Sequence, residues 1–310
     1  MQGAAEGCRC YEIHYLGTRC LVLENNVIRS TLLLDFGAAM VEYRYKPLDI
    51  NLVWRTPQWK QNLYRRVHMQ LDEEGISDNY LGGWFDIFPN YGRGCNINGV
   101  RYANHGELLY LPWSYQIMMC SPQKITIRLY TWLSKQACCA EKELTMLQDS
   151  TQLQCALSIK NMGGVEIPYQ WGIHPTIGAP FLSPDCEIIL PHCADDIISE
   201  TIQMPPEGNM EQKILTVSNI PAGSCRIRNN ALGMSFCMSW EHEAFAYAQV
   251  WISAGHHYGH HKHGGAYAAC VIPCSTPHES LSNGAHQQLY PGEVCRTKYD
   301  IYLEDQRGTL

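Results

Sequence analysis

Short stretches in which apolar and polar side chains alternate recur along most of the chain. The alternation is clearest over residues 124–133 and 295–303. A period of two is typical of a β-strand with one buried face. Seven further segments, rich in β-branched, aromatic or leucine residues, are also predicted to be strands: 19–23, 27–35, 39–45, 151–160, 186–190, 234–240 and 245–252.

Helical periodicity is rare. Residues 61–71 have some 3.6-residue character, and residues 280–288 could form a turn or two. Turn-forming Gly, Pro, Asn and Asp separate the predicted strands. Many short strands without long helices between them predict an all-β sandwich or barrel. The sequence contains no internal repeat, low-complexity linker or shift in composition, so we predict a single domain over residues 1–310.

Composition places the chain among ordinary globular proteins. Of its 310 residues 45% are hydrophobic and 17% charged, enough apolar material for a large core. The net charge of −7 argues against nucleic acid and against an anionic membrane surface as partners. No apolar run approaches the roughly 20 residues that a membrane span needs. The first eight residues lack the basic start and apolar core of a signal peptide, so we expect a cytoplasmic protein.

The 15 cysteines are an odd number and include no Cys-x-x-Cys pair, whereas zinc sites usually show tighter, repeated spacing. Most of them lie in apolar runs. We therefore favour buried free thiols over disulfides, in keeping with a reducing compartment.

Two blocks combine glycine, proline and aromatic residues with polar side chains. The first covers residues 82–92 and continues to 105–107 and 112–113, and the second covers residues 171–178. Glycine permits close backbone approach, proline fixes φ and aromatic rings form flat apolar walls. This mixture suits the floor of a pocket for a small polyhydroxylated ligand. The alternative is a structural turn region in which the polar groups are incidental.

His105 and His174 each lie within these blocks, where a rigid backbone can aim a side chain. Imidazole titrates near physiological pH, as a proton shuttle requires. The alternative is that each ring satisfies a neighbouring carbonyl. A third group, with five histidines within residues 256–263, could bind zinc, nickel or copper, and His256 and His260 are its candidate ligands. The same segment is glycine-rich and polar, which is also typical of a loop without a physiological metal.

The ordered set of blocks resembles the galactose mutarotase-like superfamily, and within it the aldose 1-epimerase-related proteins. The resemblance is carried by Gly82-Gly83-Trp84, Phe88-Pro89-Asn90, His105-Gly106-Glu107, Pro112-Trp113, His174-Pro175, Gly178-Ala179-Pro180-Phe181 and, near the end, Leu289-Tyr290-Pro291-Gly292-Glu293. Earlier segments, Asp35-Phe36-Gly37-Ala38 and Leu52-Val53-Trp54-Arg55-Thr56-Pro57, also fit the expected order.

The resemblance implies a large antiparallel β supersandwich with few short helices and a sugar-binding cleft on one sheet. It also implies a mechanism in which a glutamate takes the proton of the anomeric hydroxyl while a histidine protonates the ring oxygen. By position His174 matches the general acid, and His105 matches a second histidine that contacts the substrate. No cofactor is required by this route, and the expected partner is a small sugar or sugar derivative.

The glutamate is missing. The resemblance places Ile272 where that base stands, and isoleucine cannot accept a proton. Three interpretations remain, of which we favour the first, an isomerase of the aldose 1-epimerase type. Another carboxylate, Glu279, Glu107 or Glu241, acts as the base of an epimerase or related sugar enzyme; the cleft binds a carbohydrate without converting it; or a divalent metal at the histidine-rich segment activates water or a sugar hydroxyl.

Substrate contacts are expected from Asn90 and Glu107, and from Trp171 or Trp251 stacking on the C–H face of the sugar. Arg93 could meet a phosphate or carboxylate on the sugar, although an isolated arginine is more often a solvated surface charge. The sequence does not exclude a homodimer.

Overall fold

The computed structural model describes residues 6–97, 99–190, 201–209, 211–218, 220, 223–257, 265–277, 281 and 286–305. The helices are α1 (Trp59–His68) and α2 (Glu73–Asp78), with 3₁₀ turns at Lys46–Leu48 and Leu108–Tyr110. The strands are β1 (Arg9–Tyr15), β2 (Thr18–Glu24), β3 (Ile28–Leu33), β4 (Ala39–Tyr45), β5 (Ile50–Asn51), β6 (Trp84–Ile87), β7 (Cys95–Ile97), β8 (Val100–Tyr102), β9 (Ser114–Cys120), β10 (Lys124–Leu133), β11 (Cys138–Leu147), β12 (Leu153–Asn161), β13 (Ile167–Tyr169), β14 (Gly172–Pro175), β15 (Ile177–Gly178), β16 (Cys186–Ile189), β17 (Thr201–Gln203), β18 (Glu211–Ser218), β19 (Ser224–Asn229), β20 (Met234–Trp240), β21 (Tyr247–His257), β22 (Gly265–Cys274), β23 (Gln287–Leu289) and β24 (Val294–Asp305).

Two large antiparallel sheets face each other. The eleven-stranded sheet has the order β1-β2-β3-β4-β6-β14-β22-β21-β18, with β5 paired to β4 and β15 paired to β22. The nine-stranded sheet has the order β17-β16-β19-β20-β24-β12-β11-β10-β9. Two short ribbons, β13-β23 and β7-β8, complete the strand pairing. The prediction of an all-β antiparallel sandwich with few short helices is confirmed.

One hydrophobic core fills the space between the two sheets. It takes alternate side chains from both, for example Leu21 and Leu23 of β2 and Ile125 and Ile127 of β10, all of which are fully buried. Burial of such a side chain stabilises the fold by about 1.5–3 kcal/mol. The apolar positions of the alternation therefore indicate which face of each strand is turned toward the opposite sheet.

A buried ion pair crosses this core. Nζ of Lys142 on β11 donates to Oδ2 of Asp86 on β6 at 2.9 Å, and both side chains are less than a tenth exposed. Because an isolated charge in such a place would be costly, each group depends on the other. Asp86 is thereby turned into the core and away from the opposite face of its sheet.

The nine predicted strands all correspond to observed strands, and 39–45, 124–133 and 234–240 agree in both bounds. The helix predicted over 61–71 is observed at Trp59–His68. The helical turn predicted over 280–288 lies largely outside the described residues, and its last two positions begin strand β23.

The face of the eleven-stranded sheet that is turned away from the core, called here the outer face, carries two further apolar clusters. One of them, the outer-face cluster, contains Ala39, Trp54, Phe85, Ile87, Tyr91, Leu109, Trp251, Ala266, Ala268, Cys270, Ile272 and Cys274. The other lies beneath α1 and includes Leu33, Val41 and Leu63.

The fourteen cysteines among the described residues are all free, and nine are buried, as the sequence predicts. In the same part of the chain no helix is both long and apolar enough to cross a membrane.

Candidate functional site

His174 lies on the outer face because side chains alternate along β14. Its neighbour Ile173 packs in the core between the sheets, so the imidazole of His174 points the other way. The register of β14 against β6 pairs His174 with Phe85. The two rings stack with their centroids 4.8 Å apart and their planes 12° from parallel. The histidine ring is therefore held flat against an aromatic wall.

His105 reaches the same place from a loop whose backbone is tightly constrained. Its N–H donates to the Gly92 carbonyl oxygen at 2.8 Å, and its own φ is 62°. Left-handed backbone in a residue other than glycine costs of order 1–3 kcal/mol and is concentrated at functional sites. The following residue, Gly106, has a φ of 83°, and a Cβ there would collide with the carbonyl oxygen of Phe88.

The two imidazoles converge, as the sequence predicts. The ring centroids of His105 and His174 lie 5.3 Å apart with an interplanar angle of 64°. Phe85 also contacts His105, at a centroid distance of 5.6 Å. The two imidazoles are therefore direct neighbours on the outer face.

His174 forms its hydrogen bonds through Nδ1. Its Nδ1 lies 2.8 Å from the hydroxyl oxygen of Thr176 and 3.6 Å from Sγ of Cys270. Burial raises the pKa of Cys270 well above its ordinary value, so the thiol keeps its proton and, like the hydroxyl, can donate. With Nδ1 accepting, we assign the ring proton of neutral His174 to Nε2.

Both rings are neutral at physiological pH. Burial lowers the pKa of His105 to about 4. Burial, and then the neighbouring His105 ring, lower the pKa of His174 well below its ordinary value. Nδ1 of His105 is itself buried without a hydrogen-bond partner among the described residues. The pair therefore offers hydrogen bonds from neutral imidazoles.

Ile272 lies in β22 as part of the outer-face cluster, where it is 4% exposed. Its cross-strand partner on β21 is Gln249. Oε1 of Gln249 accepts a hydrogen bond of 2.5 Å from the Tyr91 hydroxyl, and both side chains are buried. Polar groups near Ile272 are thus an amide and a phenol.

Asn90 holds the loop that precedes His105. It is fully buried, and its Nδ2 donates to the carbonyl oxygen of Arg93 at 2.7 Å while its Oδ1 accepts from Sγ of Cys95 at 3.3 Å. Through these bonds Asn90 stabilises the conformation of the loop. Arg93 is exposed on the same loop, and its part in binding stays a prediction.

Glu107 follows the His105 turn and is 4% exposed. Its Oε1 accepts from the backbone N–H of Lys135 at 3.3 Å and from the Ser134 hydroxyl at 3.4 Å. These bonds direct this carboxylate oxygen toward the turn after β10. Its role as base or as substrate contact stays a prediction.

The two tryptophans lie on opposite faces of the sheet. Trp251 belongs to the outer-face cluster and is the cross-strand partner of Cys270. Trp171 is 2% exposed in the core between the sheets, with its ring centroid 5.2 Å from that of Phe245. The expectation that Trp171 stacks on the sugar is therefore wrong, because its ring packs against core side chains.

Glu241 lies on the other sheet. It is exposed just after β20, and its Oε2 accepts from the backbone N–H of Lys298 on β24 at 2.8 Å. It borders a surface depression whose other residues, among them Arg128, come from the strands of the nine-stranded sheet. The expectation of Glu241 as an alternative base is therefore wrong, since it belongs to the opposite side of the sandwich.

Three of the predicted site residues lie wholly or partly outside the described part of the chain. Glu279 and His260 lie outside the described residues, and of His256 only the backbone, paired with Ala266 in β21 and β22, is described. Within the residues whose placement is given, no group of three or more His, Cys, Asp or Glu side chains could hold a metal ion. The proposed metal site remains a prediction.

Sequence reasoning missed Phe85, Thr176, Gln249 and Cys270 as members of the site. Thr176 and Cys270 had a usable signal, since each stands two positions from a predicted site residue, His174 or Ile272, on an extended strand. Gln249 had none, because its place depends on the register between β21 and β22.

Comparison with solved structures supports the fold. A candidate aldose 1-epimerase from Klebsiella pneumoniae is similar over 99% of this chain and 90% of its own, with a TM-score of 0.74 and 15% identity. A galactose mutarotase-like protein from Clostridium acetobutylicum covers 96% of this chain and 99% of its own, with a TM-score of 0.65 and 15% identity. A candidate aldose 1-epimerase from Escherichia coli covers 96% and 99%, with a TM-score of 0.57 and 14% identity.

No protein-family model and no curated protein matches the chain. Identities of this size establish the fold and leave the activity open. The chain has the galactose mutarotase-like fold found in aldose 1-epimerase-related proteins.

Proposed function

We propose that the outer face binds an aldose or a closely related sugar at the His105–His174 pair. The observation that carries this proposal is the 5.3 Å separation of the two rings, together with Thr176 holding Nδ1 of His174. Nε2–H of His174 would donate to the ring oxygen or the anomeric oxygen. His105 would contact a neighbouring hydroxyl.

The surroundings of the pair suit a sugar. Phe85, Tyr91 and Trp251 supply aromatic surface for the C–H face of the ring. The Gln249 amide is fixed through its Oε1 by Tyr91, and its N–H groups have no partner among the described residues. They are available to a hydroxyl. A few polar groups within apolar walls are typical of small-molecule sites.

Binding without conversion is the function that the chemistry supports best. Burial, and then the His105 ring, lower the pKa of His174, the expected general acid, well below its ordinary value, so this ring is neutral at pH 7. The position that the resemblance assigns to the base is occupied by Ile272, an apolar member of the outer-face cluster. Loss of a general base typically costs about 10²–10⁴-fold in rate.

Epimerisation of the anomeric carbon is the second candidate. It is favoured by the left-handed backbone of His105 and by the presence of two converging imidazoles, which binding alone does not require. Its base would be Glu107, Glu279, or a hydroxide on a metal held by His256 and His260. His174 would then act as the general acid after the ligand has changed its pKa.

One set of experiments on the intact protein distinguishes sugar binding from epimerisation. Calorimetric titration with a panel of aldoses measures binding, and polarimetry on pure anomers measures interconversion. We expect saturable binding that weakens at least tenfold in His174→Gln and is unchanged in His14→Gln, which alters an exposed histidine on β1. Equal affinity in His174→Gln and wild type would refute the proposal.

A rate above that of buffer that disappears in His174→Gln would favour the epimerase. Loss of that rate on chelation, with restoration by a divalent metal, would favour the metal-assisted form of it. Binding with no rate above buffer would favour the first proposal.

A further inference from the structure

A second cavity lies on the outer face of the eleven-stranded sheet, over its first four strands and beside α1. Its volume is about 440 Å³. None of the residues that line it belongs to the outer-face cluster or to the His105–His174 pair. A volume of this order falls within the range of small-molecule sites.

Aromatic rings form one wall of this cavity. The ring of Trp59, the first residue of α1, stacks on that of Tyr15, with centroids 5.6 Å apart and planes 17° from parallel. The guanidinium carbon of Arg55 lies 4.5 Å from the centroid of the Trp59 ring. A guanidinium held over an aromatic face keeps its N–H donors available in its own plane, where a carboxylate or phosphate can accept two of them at once.

The charges around the cavity are unbalanced. Three cations line it, Arg29, Arg55 and Lys60, against the single carboxylate of Glu42. In a protein with a net charge of −7, this cavity is locally positive.

That carboxylate is already engaged. Oε1 of Glu42 accepts from Nε of Arg44 at 2.8 Å, and Oε2 accepts from the Thr31 hydroxyl at 2.7 Å and lies 3.4 Å from Nε of Arg29. Arg55 has no carboxylate within 4.0 Å among the described residues. Burial lowers the pKa of Arg55, and the more distant Glu42 carboxylate offsets only part of that effect.

We propose that this cavity binds the phosphate or carboxylate group of a small organic acid, with Arg55 as its anchor and Lys60 as a second cation. The oxyanion would supply the counterion that Arg55 lacks. The remainder of the ligand would lie against Tyr15, Trp59 and Ile13. This site is separate from the proposed sugar site and does not depend on it.

The test uses the full-length protein, inorganic phosphate and acetate as probes, and sodium chloride to keep the ionic strength constant. The melting temperature of wild type is followed as each probe is raised. A ligand of the native state stabilises it by RT ln(1 + [L]/Kd), so the melting temperature keeps rising with the logarithm of ligand concentration above Kd, whereas general screening does not depend on which anion supplies the ionic strength. Phosphate is expected to raise the melting temperature above the sodium chloride baseline in this way, and a parallel response to acetate would show that carboxylates are accepted as well.

Four variants make the test specific. Arg55→Gln and the surface variant Lys60→Gln are each expected to weaken phosphate binding by about tenfold or more. The matched control Arg128→Gln alters an arginine of the nine-stranded sheet that is 39% exposed, and should respond as wild type does. His174→Gln should also respond as wild type does, because His174 does not line this cavity. The phosphate result is therefore independent of whether the protein binds a sugar at the His105–His174 pair.

No rise of the melting temperature with phosphate above the sodium chloride baseline, or a rise that is the same in Arg128→Gln and Lys60→Gln, would overturn the proposal. Lys60 is exposed on the surface of α1, so its variant provides the answer even if Arg55→Gln fails to fold.

Discussion

The imidazole of His174 stacks on Phe85 and contacts the Thr176 hydroxyl. Phe85 stacks on the ring at a centroid distance of 4.8 Å, and the hydroxyl oxygen of Thr176 lies 2.8 Å from Nδ1. Nε2 has no hydrogen bond to any described residue. It is the atom that a ligand would meet, and its orientation is already set before the ligand arrives.

Replacement of Thr176 by valine removes the hydroxyl while keeping the shape of the side chain. Nδ1 of His174 then depends on the weaker donor Cys270, 3.6 Å away, and the Nε2–H tautomer is less strongly favoured. We expect sugar affinity to fall by about 3- to 10-fold. Calorimetry gives the affinity, and the ¹⁵N shifts of His174 give the tautomer. Thr126→Val, at a hydroxyl pair within the other sheet, is the matched control and should leave both unchanged.

Acid should destabilise the protein through the histidine pair. The folded-state pKa of His105 is about 4, and that of His174 is also lowered, so between pH 6.5 and 4 the unfolded chain binds more protons than the folded one. The stability from these rings is therefore complete above about pH 6.5 and declines as the pH falls toward 4. Chemical denaturation across this range measures it.

The same pH series on His105→Gln isolates the contribution of that ring. Its free energy of unfolding should decline less between pH 6.5 and 4 than that of wild type, while His14→Gln should follow wild type. Parallel curves for wild type and His105→Gln would contradict the assignment of a buried neutral imidazole.

Substitution of Ile272 by glutamate would place a carboxylate opposite Gln249 on the outer face. In these apolar surroundings its pKa should rise, and we expect stability to fall by roughly 3 kcal/mol. If the face can hold a sugar in the orientation of an epimerase, anomer interconversion should increase at least tenfold over the matched Ile272→Gln variant. Polarimetry measures the rate of interconversion in both variants. Equal rates in the two variants would show that the bound sugar does not present its anomeric hydroxyl to position 272.

The turn at Gly106 should be intolerant of any side chain. Its φ is 83° and its position against Phe88 leaves no space for a Cβ, whereas Gly99, with a φ of 79°, has open space around it. Both alanine variants bear the strain of left-handed backbone, about 1–2 kcal/mol. Gly106→Ala should lose clearly more stability than Gly99→Ala and should also weaken sugar binding by displacing His105. Comparable losses in the two variants would argue against a rigid turn.

The sequence predicts the fold best where each strand has one buried and one exposed face. Residues 124–133 show the full alternation, and β10 has those bounds. Strand β22 is apolar or small almost throughout because both of its faces are covered, so its periodicity is lost. Strand β6 was obscured by the glycine, proline and aromatic residues around it, yet it lies beside β14 in the middle of the eleven-stranded sheet.

The site was only partly predictable for the same reason. His105 and His174 could be identified through the resemblance, but their neighbours depend on strand register and on the parity of positions. Trp171 is three positions before His174, and an odd separation along extended backbone places two side chains on opposite faces. The odd separation of Trp171 from His174 is therefore enough to exclude Trp171 from the face that carries His174. The proximity of Gln249 to Ile272 cannot be predicted in this way, because it depends on the register between β21 and β22.

A crystal structure of the protein with a bound aldose would show whether the His105–His174 pair holds the sugar. We expect a sugar ring against Phe85 and Trp251, with its ring oxygen or anomeric oxygen within about 2.7–3.2 Å of Nε2 of His174. A sugar bound elsewhere, or one on the outer face with no oxygen in reach of either His105 or His174, would contradict it.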